Sequence, residues 1–198
     1  AALADYEQVL ELDETNENGY LGLADVYIRM GQYEKALELL QDALNTVPGS
    51  QAIADKLEDM ENGIFADAAG RERRTVYYNA DGVIESYHDN FYNILGQRTG
   101  WEIYTYLSED GTRMDSPVLE TVAEVEYGED GLITAYYFYD AQGQMKWRDT
   151  FTYENGLKTE QHRYTPDGVL DCYFLFYYDD QDRQIRYEGY HAEGDMYG

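Results

Sequence analysis

The chain has 198 residues, enough for one or two domains with cores of their own, and carries 40 Asp and Glu against 14 Lys and Arg. The formal net charge of −26 argues against nucleic acid, because binding phosphates requires a basic patch, and equally against anionic membrane surfaces. A single cysteine excludes a disulfide within the chain, and no apolar run is long enough for a transmembrane helix. A solvated surface, a basic partner and a divalent cation all remain compatible with this charge.

The first third of the chain has a helical pattern. Residues 17–50 form a 34-residue unit in which large and small apolar residues recur at helix-packing positions, namely Tyr20, Leu23, Ala24, Tyr27, Ala36, Leu40, Ala43 and Pro48. This unit resembles a tetratricopeptide (TPR) repeat, which is a helix–turn–helix. Residues 2–16 resemble the second half of a preceding repeat. Residues 51–61 predict a further helix that begins after the candidate N-cap Ser50.

The TPR resemblance implies a docking surface and no chemistry of its own. The first helix of such a unit lines the concave face, which places five residues towards a partner: Asn18, Leu21, Asp25, Ile28 and Arg29. The alternative is that these side chains are solvated or packed on the second part of the chain. Leu21 and Asp25 do not fit a clamp for a C-terminal carboxylate, so a chaperone-type role is not expected. Because about three repeats are usually needed for a stable stack, we expect either residues upstream of Ala1 or support from the second part.

From about residue 72 the periodicity changes to two. In residues 145–153 large apolar side chains alternate with polar ones, which predicts a strand with one solvated face. Turn motifs that end in glycine recur along the chain at residues 79–82, 109–111, 129–131, 141–143, 154–156, 166–168 and 192–194. Asp-Gly and Asn-Gly pairs supply the positive φ that tight hairpins require. The segment 169–178 is apolar at nearly every position, which predicts a central strand that is covered on both faces.

The strands of the C-terminal half end in tyrosine at intervals of 11 to 14 residues, at Tyr139, Tyr153, Tyr164, Tyr178 and Tyr190. This pattern resembles the YD (Rhs-type) repeats and, more distantly, the MORN-like repeats of bacterial surface proteins. The resemblance implies successive antiparallel hairpins in a long sheet, and an origin in the bacterial cell envelope or outside the cell, where such architectures include lipoproteins. The tyrosine rings are explained either by cross-strand packing or by an aromatic platform for a ligand.

A search for catalytic and metal-binding patterns gives no site. The three histidines are scattered without metal-ligand spacing, and no phosphate loop or nucleophile elbow is present. The acidic cluster 179–182 fails the pattern of an EF-hand, because Ile185 and His191 stand where a glycine and a carboxylate are needed. We therefore expect no catalytic residue, no metal and no cofactor. A pair of carboxylates acting as a hydrolase remains as a third hypothesis.

These observations predict an α+β protein in which a short TPR-like helical stack precedes a repetitive antiparallel sheet. The predicted parts are helices in 1–62, a connector in 63–71 and a tyrosine-rich sheet in 72–198. The leading hypothesis is a non-enzymatic scaffold that docks a protein partner on its helices. The alternative is a glycan-binding module whose platform consists of Trp101, Trp147, Tyr153 and Tyr164.

Overall fold

A computed structural model of the chain describes residues 2–196 and has the predicted α+β architecture. Four helices come first: α1 (Ala2–Leu12), α2 (Glu17–Arg29), α3 (Tyr33–Thr46) and α4 (Gln51–Glu61). Ten strands follow, and they are β1 (Ile64–Ala66), β2 (Glu72–Tyr78), β3 (Ile84–Tyr92), β4 (Arg98–Leu107), β5 (Arg113–Tyr127), β6 (Ile133–Asp140), β7 (Met145–Glu154), β8 (Leu157–Tyr164), β9 (Leu170–Tyr178) and β10 (Gln184–His191). Their order in the antiparallel sheet is the order in the chain, as a series of hairpins requires.

The chain forms two compact units. The first comprises residues 1–90 with 105–117, and the second comprises 91–104 with 118–198. Strand β2 therefore belongs to the same unit as the helices, whereas the sequence places residues from 72 onward in the second part. The expected connector 63–71 also differs from a plain linker, because β1 lies within it and pairs with β2. The division into independent domains at 62 and 71 stays a prediction.

The core of the first unit lies among the helices. Ala24, Ala36, Leu40, Ala43 and Ile53 are fully buried there, and most of the TPR-pattern residues are in this cluster. Small alanine side chains let neighbouring helices approach, and the larger residues fill the space between them. The predicted helix α4 begins where expected, because the hydroxyl of Ser50 accepts a hydrogen bond from the backbone N–H of Ile53 at 3.1 Å.

Asn and Asp side chains hold several of the hairpin turns. In each of several turns an Asn or Asp side chain accepts hydrogen bonds from the backbone N–H groups two and four residues later, as at Asn79, Asn93, Asp140 and Asp179. The glycine of all seven predicted turns has positive φ, which confirms those turns. The turn at 93–96 was not predicted, and in the turn at 179–182 Asp182 takes the positive φ that glycine takes elsewhere.

The second unit has almost no large buried side chains. Its buried apolar residues are Ala123, Ala135 and Cys172, and the larger side chains around them are mostly half-exposed. The prediction that residues 169–178 are covered on both faces is therefore wrong, since eight of the nine residues of β9 keep some exposure. Only Cys172 is buried in that strand, and burial raises the pKa of its thiol. The aromatic rings cover the small residues by lying along the sheet.

Candidate functional site

The first unit contains an apolar cleft beside helices α3 and α4, which we call the helix–strand cleft. It has a volume of about 260 Å³ and is lined by Tyr33, Glu34, Leu37, Met60, Glu61, Phe65, Arg74, Val76, Tyr78, Ile84, Tyr87 and Tyr106. Helices and strands contribute lining residues that are far apart in the sequence. Concave, mostly apolar sites with a few polar groups are the kind in which ligands and side chains of partners are usually held.

The inner wall of the cleft is organised around Arg74. Its guanidinium lies between two rings, 4.3 Å from the centroid of Tyr33 and 4.0 Å from that of Tyr87. Two hydrogen bonds of 2.6 Å to the carboxylate of Asp89 neutralise the charge. Tyr33 in turn packs on Phe65 with centroids 4.9 Å apart. Arg74 thus supports the wall, and its charge is already satisfied.

The pKa of Tyr33 reflects the burial of this wall. Burial of the ring, together with the negative charge of Asp89, raises the pKa of Tyr33 to about 12. Its hydroxyl is therefore protonated throughout the physiological range. The rim of the cleft is more polar than its interior. Glu34 and Glu61 are exposed there, and 43% of the surface of Tyr78 is accessible. The cleft combines an apolar interior with an acidic rim.

The predicted concave face of the TPR unit is partly occupied by the chain itself. The carboxylate of Asp25 accepts a hydrogen bond from the backbone N–H of Ala68 and pairs with Arg29 at 2.9 Å. Lys56 donates to the carbonyl of Ala66, and burial lowers the pKa of this lysine despite nearby carboxylates. Residues 66–68 therefore lie against the side of α2 that was expected to meet a partner.

The five residues that were predicted to bind a partner differ in their burial and contacts. Ile28 is only 1% exposed and belongs to the helical core, so its assignment to the open face is wrong. The physical reason is that this position of α2 faces α3 and β1 in so short a stack. Leu21 is half-buried against the same core, and Asp25 is engaged as described. Asn18 and Arg29 are exposed, and their role in binding stays a prediction.

Asp67 holds the segment that follows β1. Its carboxylate accepts hydrogen bonds from the side chains of Arg71 and Arg73 at 2.9 and 3.0 Å and from two backbone N–H groups. Burial alone would raise the pKa of Asp67, but these hydrogen bonds outweigh it and lower the pKa to about 2. The sequence analysis did not single out this residue. Arginines four and six residues after it are the only signal that was available.

The predicted aromatic platform of the second unit does not form as one surface. Trp101 contacts Tyr136 and Phe138 at centroid distances of 5.3 and 5.7 Å, and Phe138 stacks on Trp147 at 4.7 Å. The two tryptophans therefore share one face, and a ring between them connects them. We call it the Asp149 face, after the buried carboxylate two residues beyond Trp147.

The other two platform residues divide between the faces. Tyr153 follows Phe151 by two residues in β7, and the ring of Phe151 contacts Tyr136 at a centroid distance of 5.0 Å, so strand alternation assigns Tyr153 to the Asp149 face. Tyr164 instead contacts the guanidinium of Arg148 at 4.9 Å, on the opposite face of the sheet. The prediction of a single four-residue platform is wrong, because residues next to each other in a strand point to opposite faces.

An ion pair at the centre of the Asp149 face was not predicted. Asp149 is 3% exposed and accepts two hydrogen bonds from Arg163, at 2.8 and 3.0 Å, and a third from Gln161 at 3.2 Å. Its position among apolar residues of β7 was visible in the sequence, but its partner was not. The strand register brings Arg163 opposite Asp149. This network supplies fixed polar groups on an otherwise aromatic face.

The chemistry available elsewhere is limited. Among residues 2–196, no group of three His, Cys, Asp or Glu side chains is arranged to hold a metal ion. His162 stacks on Tyr173 with ring centroids 5.8 Å apart. The carboxylate of Asp179 is taken up by N–H groups of its own turn and by Arg183. Over the same described residues, no helix combines the length and the apolar character that crossing a membrane requires.

Comparison with known families identifies the helical part. Residues 1–58 match the family model of the tetratricopeptide repeat. The chain contains a TPR segment. This match covers the four-helix region almost completely and leaves the strands outside it. Members of this repeat family typically act by binding proteins, without catalysis of their own. No curated protein matches the chain.

Comparison with solved structures gives only distant similarities. A protein of unknown function from Bacteroides fragilis aligns with 57% of this chain and 87% of its own length, at 12% identity and a TM-score of 0.44. A porin-like protein from Bacteroides uniformis aligns with 57% of this chain and 42% of its own length, at 19% identity and a TM-score of 0.38. The TarM enzyme from Staphylococcus aureus aligns with 83% of this chain and 27% of its own length, at 7% identity and a TM-score of 0.26. Scores this low support no conclusion about function.

Proposed function

We propose that this chain is a non-enzymatic interaction protein that docks a basic segment of a protein partner at the helix–strand cleft. The observation that carries the proposal is the open apolar cleft directly beside helices of a TPR segment. TPR units bind proteins, and here the chain's own residues 66–68 occupy part of the usual face. The cleft is a separate concavity, which residues of α3, α4 and the neighbouring strands line.

The charge of the cleft favours a basic partner. Glu34 and Glu61 stand at its rim, and Arg74 inside is already neutralised by Asp89. The first 62 residues have a net charge of −11. An apolar side chain, or the aliphatic stem of a lysine or arginine, fits the interior while its charged neighbours meet the two carboxylates. Complementary charge would raise the association rate and select against acidic proteins.

A charge reversal at the rim tests this proposal. The full chain and the variant Glu34→Lys/Glu61→Lys would each be used to capture proteins from a lysate. The matched control is Glu11→Lys/Glu14→Lys, which makes the same change at exposed residues that do not line the cleft. We expect a captured partner with a basic segment to be lost from the rim variant and kept by the control.

Two results would contradict the docking proposal. One is a full chain that retains no protein at micromolar concentration. The other is a rim variant that retains the same proteins as the control with equal affinity. Circular dichroism of all three proteins establishes that the substitutions leave the fold intact.

A second candidate function is glycan binding by the sheet of the second unit. The observation that favours it is the half-exposed ring cluster of Trp101, Tyr136, Phe138 and Trp147 on the Asp149 face. The resemblance of these strands to YD and MORN-like repeats belongs to the same proposal. Tryptophan fluorescence would be followed during titration with cell-wall fragments. An unchanged spectrum at millimolar ligand counts against this function.

A further inference from the structure

The Asp149 face contains a second pocket, which we call the Lys158 pocket. It lies across β8, β9 and β10, has a volume of about 370 Å³, and is lined by residues that include Lys158, Gln161, Arg163, Phe176, Gln184 and Tyr187. None of its lining residues is Asp or Glu. This is unusual in a chain with 40 acidic and 14 basic residues. The pocket presents two amides, aromatic rings and two basic side chains, of which Lys158 has no carboxylate partner and Arg163 is paired with Asp149.

Lys158 is a cation without a carboxylate partner. Its Nζ lies 4.0 Å from the ring centroid of Phe176 and 5.4 Å from that of Phe151, and donates a hydrogen bond of 3.4 Å to Gln161. Burial lowers the pKa of its ammonium group, and the opposing effect of Asp149 is smaller. In the part of the chain that the structure describes, no Asp or Glu forms an ion pair with Lys158. A partly desolvated charge of this kind favours an incoming anion.

Arg163 is the second cation and is held rigidly. Two of its five N–H donors bind Asp149, which fixes the plane of the guanidinium. The remaining donors are available on a side chain that is 34% exposed. Gln161 is oriented by the same carboxylate. Donors that are positioned before binding lose little entropy when a ligand arrives.

The wall of the pocket is aromatic and open. The rings of Phe176 and Tyr187 are 6.5 Å apart between centroids, with planes at 28°, and Tyr187 is 64% exposed. Phe176 lies between Lys158 and Tyr187, so the exposed ring of Tyr187 provides the flat apolar surface, and Gln161 and Gln184 also line the pocket. A flat ring face with amide groups beside it suits a pyranose ring with its hydroxyl groups. Because the pocket is open, it does not enclose an isolated aliphatic side chain.

We propose that the Lys158 pocket binds a uronic acid residue of an acidic oligosaccharide. The sugar carboxylate would be bound by Lys158 and Arg163, its hydroxyls by the two glutamines, and its ring face by Tyr187. This inference rests on the second candidate function and adds its ligand class. It also extends the site from the ring cluster to the Lys158 pocket, which are linked by Arg163, 5.2 Å from the ring centroid of Trp147. Most of the net charge of −26 lies farther than about 8 Å from the pocket and is largely screened at physiological salt. The carboxylate of Asp149 is much closer, but the two hydrogen bonds from Arg163 offset its charge, so that Lys158 supplies the net positive charge of the pocket.

The experiment is calorimetric titration of the full chain with tetragalacturonate in 150 mM NaCl. Maltotetraose serves as the neutral sugar and tetraglutamate as the acidic peptide. We expect tetragalacturonate to bind more tightly than either comparator. Lys158→Met, which keeps the aliphatic stem on the two rings, should weaken that binding at least about tenfold, and Lys158→Arg should restore most of it. Tyr187→Ala should weaken the binding of the acidic sugar without affecting the fold.

The matched control is Lys35→Met, which removes one positive charge from an exposed lysine over the ring of Tyr27 in the other unit. It should leave the affinity unchanged. Equal binding of both sugars, with no effect of Lys158→Met, overturns the role of charge but keeps the glycan function. Tetraglutamate binding as tightly as the uronate overturns the sugar assignment. Absence of tetragalacturonate binding at millimolar concentration overturns the inference, whereas the glycan function is decided separately by the fluorescence titration with cell-wall fragments.

Discussion

At the scale of single residues, buried or half-buried carboxylates paired with arginines recur in both units. Asp67 joins Arg71 and Arg73, Asp149 joins Arg163, and Asp89 joins Arg74. In a chain with few basic residues, several arginines are therefore used to hold carboxylates inside the fold. Removing one partner of such a pair leaves the other charge without compensation, which is the costly change.

Asp67 gives the clearest test of such a pair. Its pKa falls from an ordinary value of 3.8 to about 2, so ionised Asp67 stabilises the folded state by roughly 2 kcal/mol at neutral pH. Because the pKa is lower in the folded state, this contribution is complete above about pH 5 and is lost as the pH falls towards 2. Asp67→Asn should lower the free energy of unfolding at pH 7 by about that amount.

Urea denaturation at pH 7 and at pH 3 measures this effect. The difference between the wild type and Asp67→Asn should be smaller at pH 3. The matched control is Asp81→Asn, an exposed turn residue, which should change stability by less than about 0.5 kcal/mol. An Asp67 variant as stable as the wild type at neutral pH would contradict the assigned role.

At the scale of elements, the sequence predicted type and order better than contacts. The 34-residue pattern gave the helices, and the glycine turns gave most of the hairpins, because both signals depend on neighbours within a few residues. Ile28 and Tyr164 were misassigned for a different reason. Which side of α2 is covered, and which face of β8 meets which ring, depend on segments far away in the chain. Periodicity does not contain that information.

The close pairing of β4 and β5 depends on Gly100. A Cβ at this position would lie 2.3 Å from the carbonyl oxygen of Ala123, which is backbone and cannot move away cheaply. Gly100→Ala should therefore lower the free energy of unfolding by about 1–3 kcal/mol, as overpacking does elsewhere. Urea denaturation followed by circular dichroism measures the loss.

Gly128→Ala is the matched control for this prediction. There the added methyl group would meet the side-chain oxygen of Asp130 at 2.9 Å, and that side chain can rotate away at the cost of its hydrogen bond from the N–H of Leu132. We expect a loss of no more than about 1 kcal/mol at this position, smaller than that of Gly100→Ala. Equal effects of the two substitutions would show that the approach of Ala123 does not limit residue 100.

At the scale of the whole molecule, the stability of the folded state is limited by the high negative charge together with the small buried core of the second unit. Forty carboxylates repel one another, and the second unit buries few large side chains that could offset this. Its strands are held by hydrogen bonds and by cross-strand aromatic pairs. Self-repulsion of this kind destabilises a compact state and is reduced by salt.

Thermal unfolding should therefore respond to salt. Between about 10 and 300 mM NaCl we expect the melting temperature to rise by roughly 2–5 °C, since 1 kcal/mol shifts the midpoint of a protein this size by a few degrees. Sucrose at equal osmolality is the control for effects other than screening. A constant or falling melting temperature over this range would contradict the prediction.

The sequence by itself determined the TPR helices, the Ser50 cap of α4, the series of hairpins and the acidic surface. Each of these follows from residues that are close in the chain or from composition. Only the tertiary structure decided that residues 66–68 lie against α2, that Arg74 forms the wall of the helix–strand cleft, and that Lys158 has no carboxylate partner. Strand register and the return of the chain onto its own helices produce these contacts. Both depend on the balance of long-range packing, which no local pattern encodes.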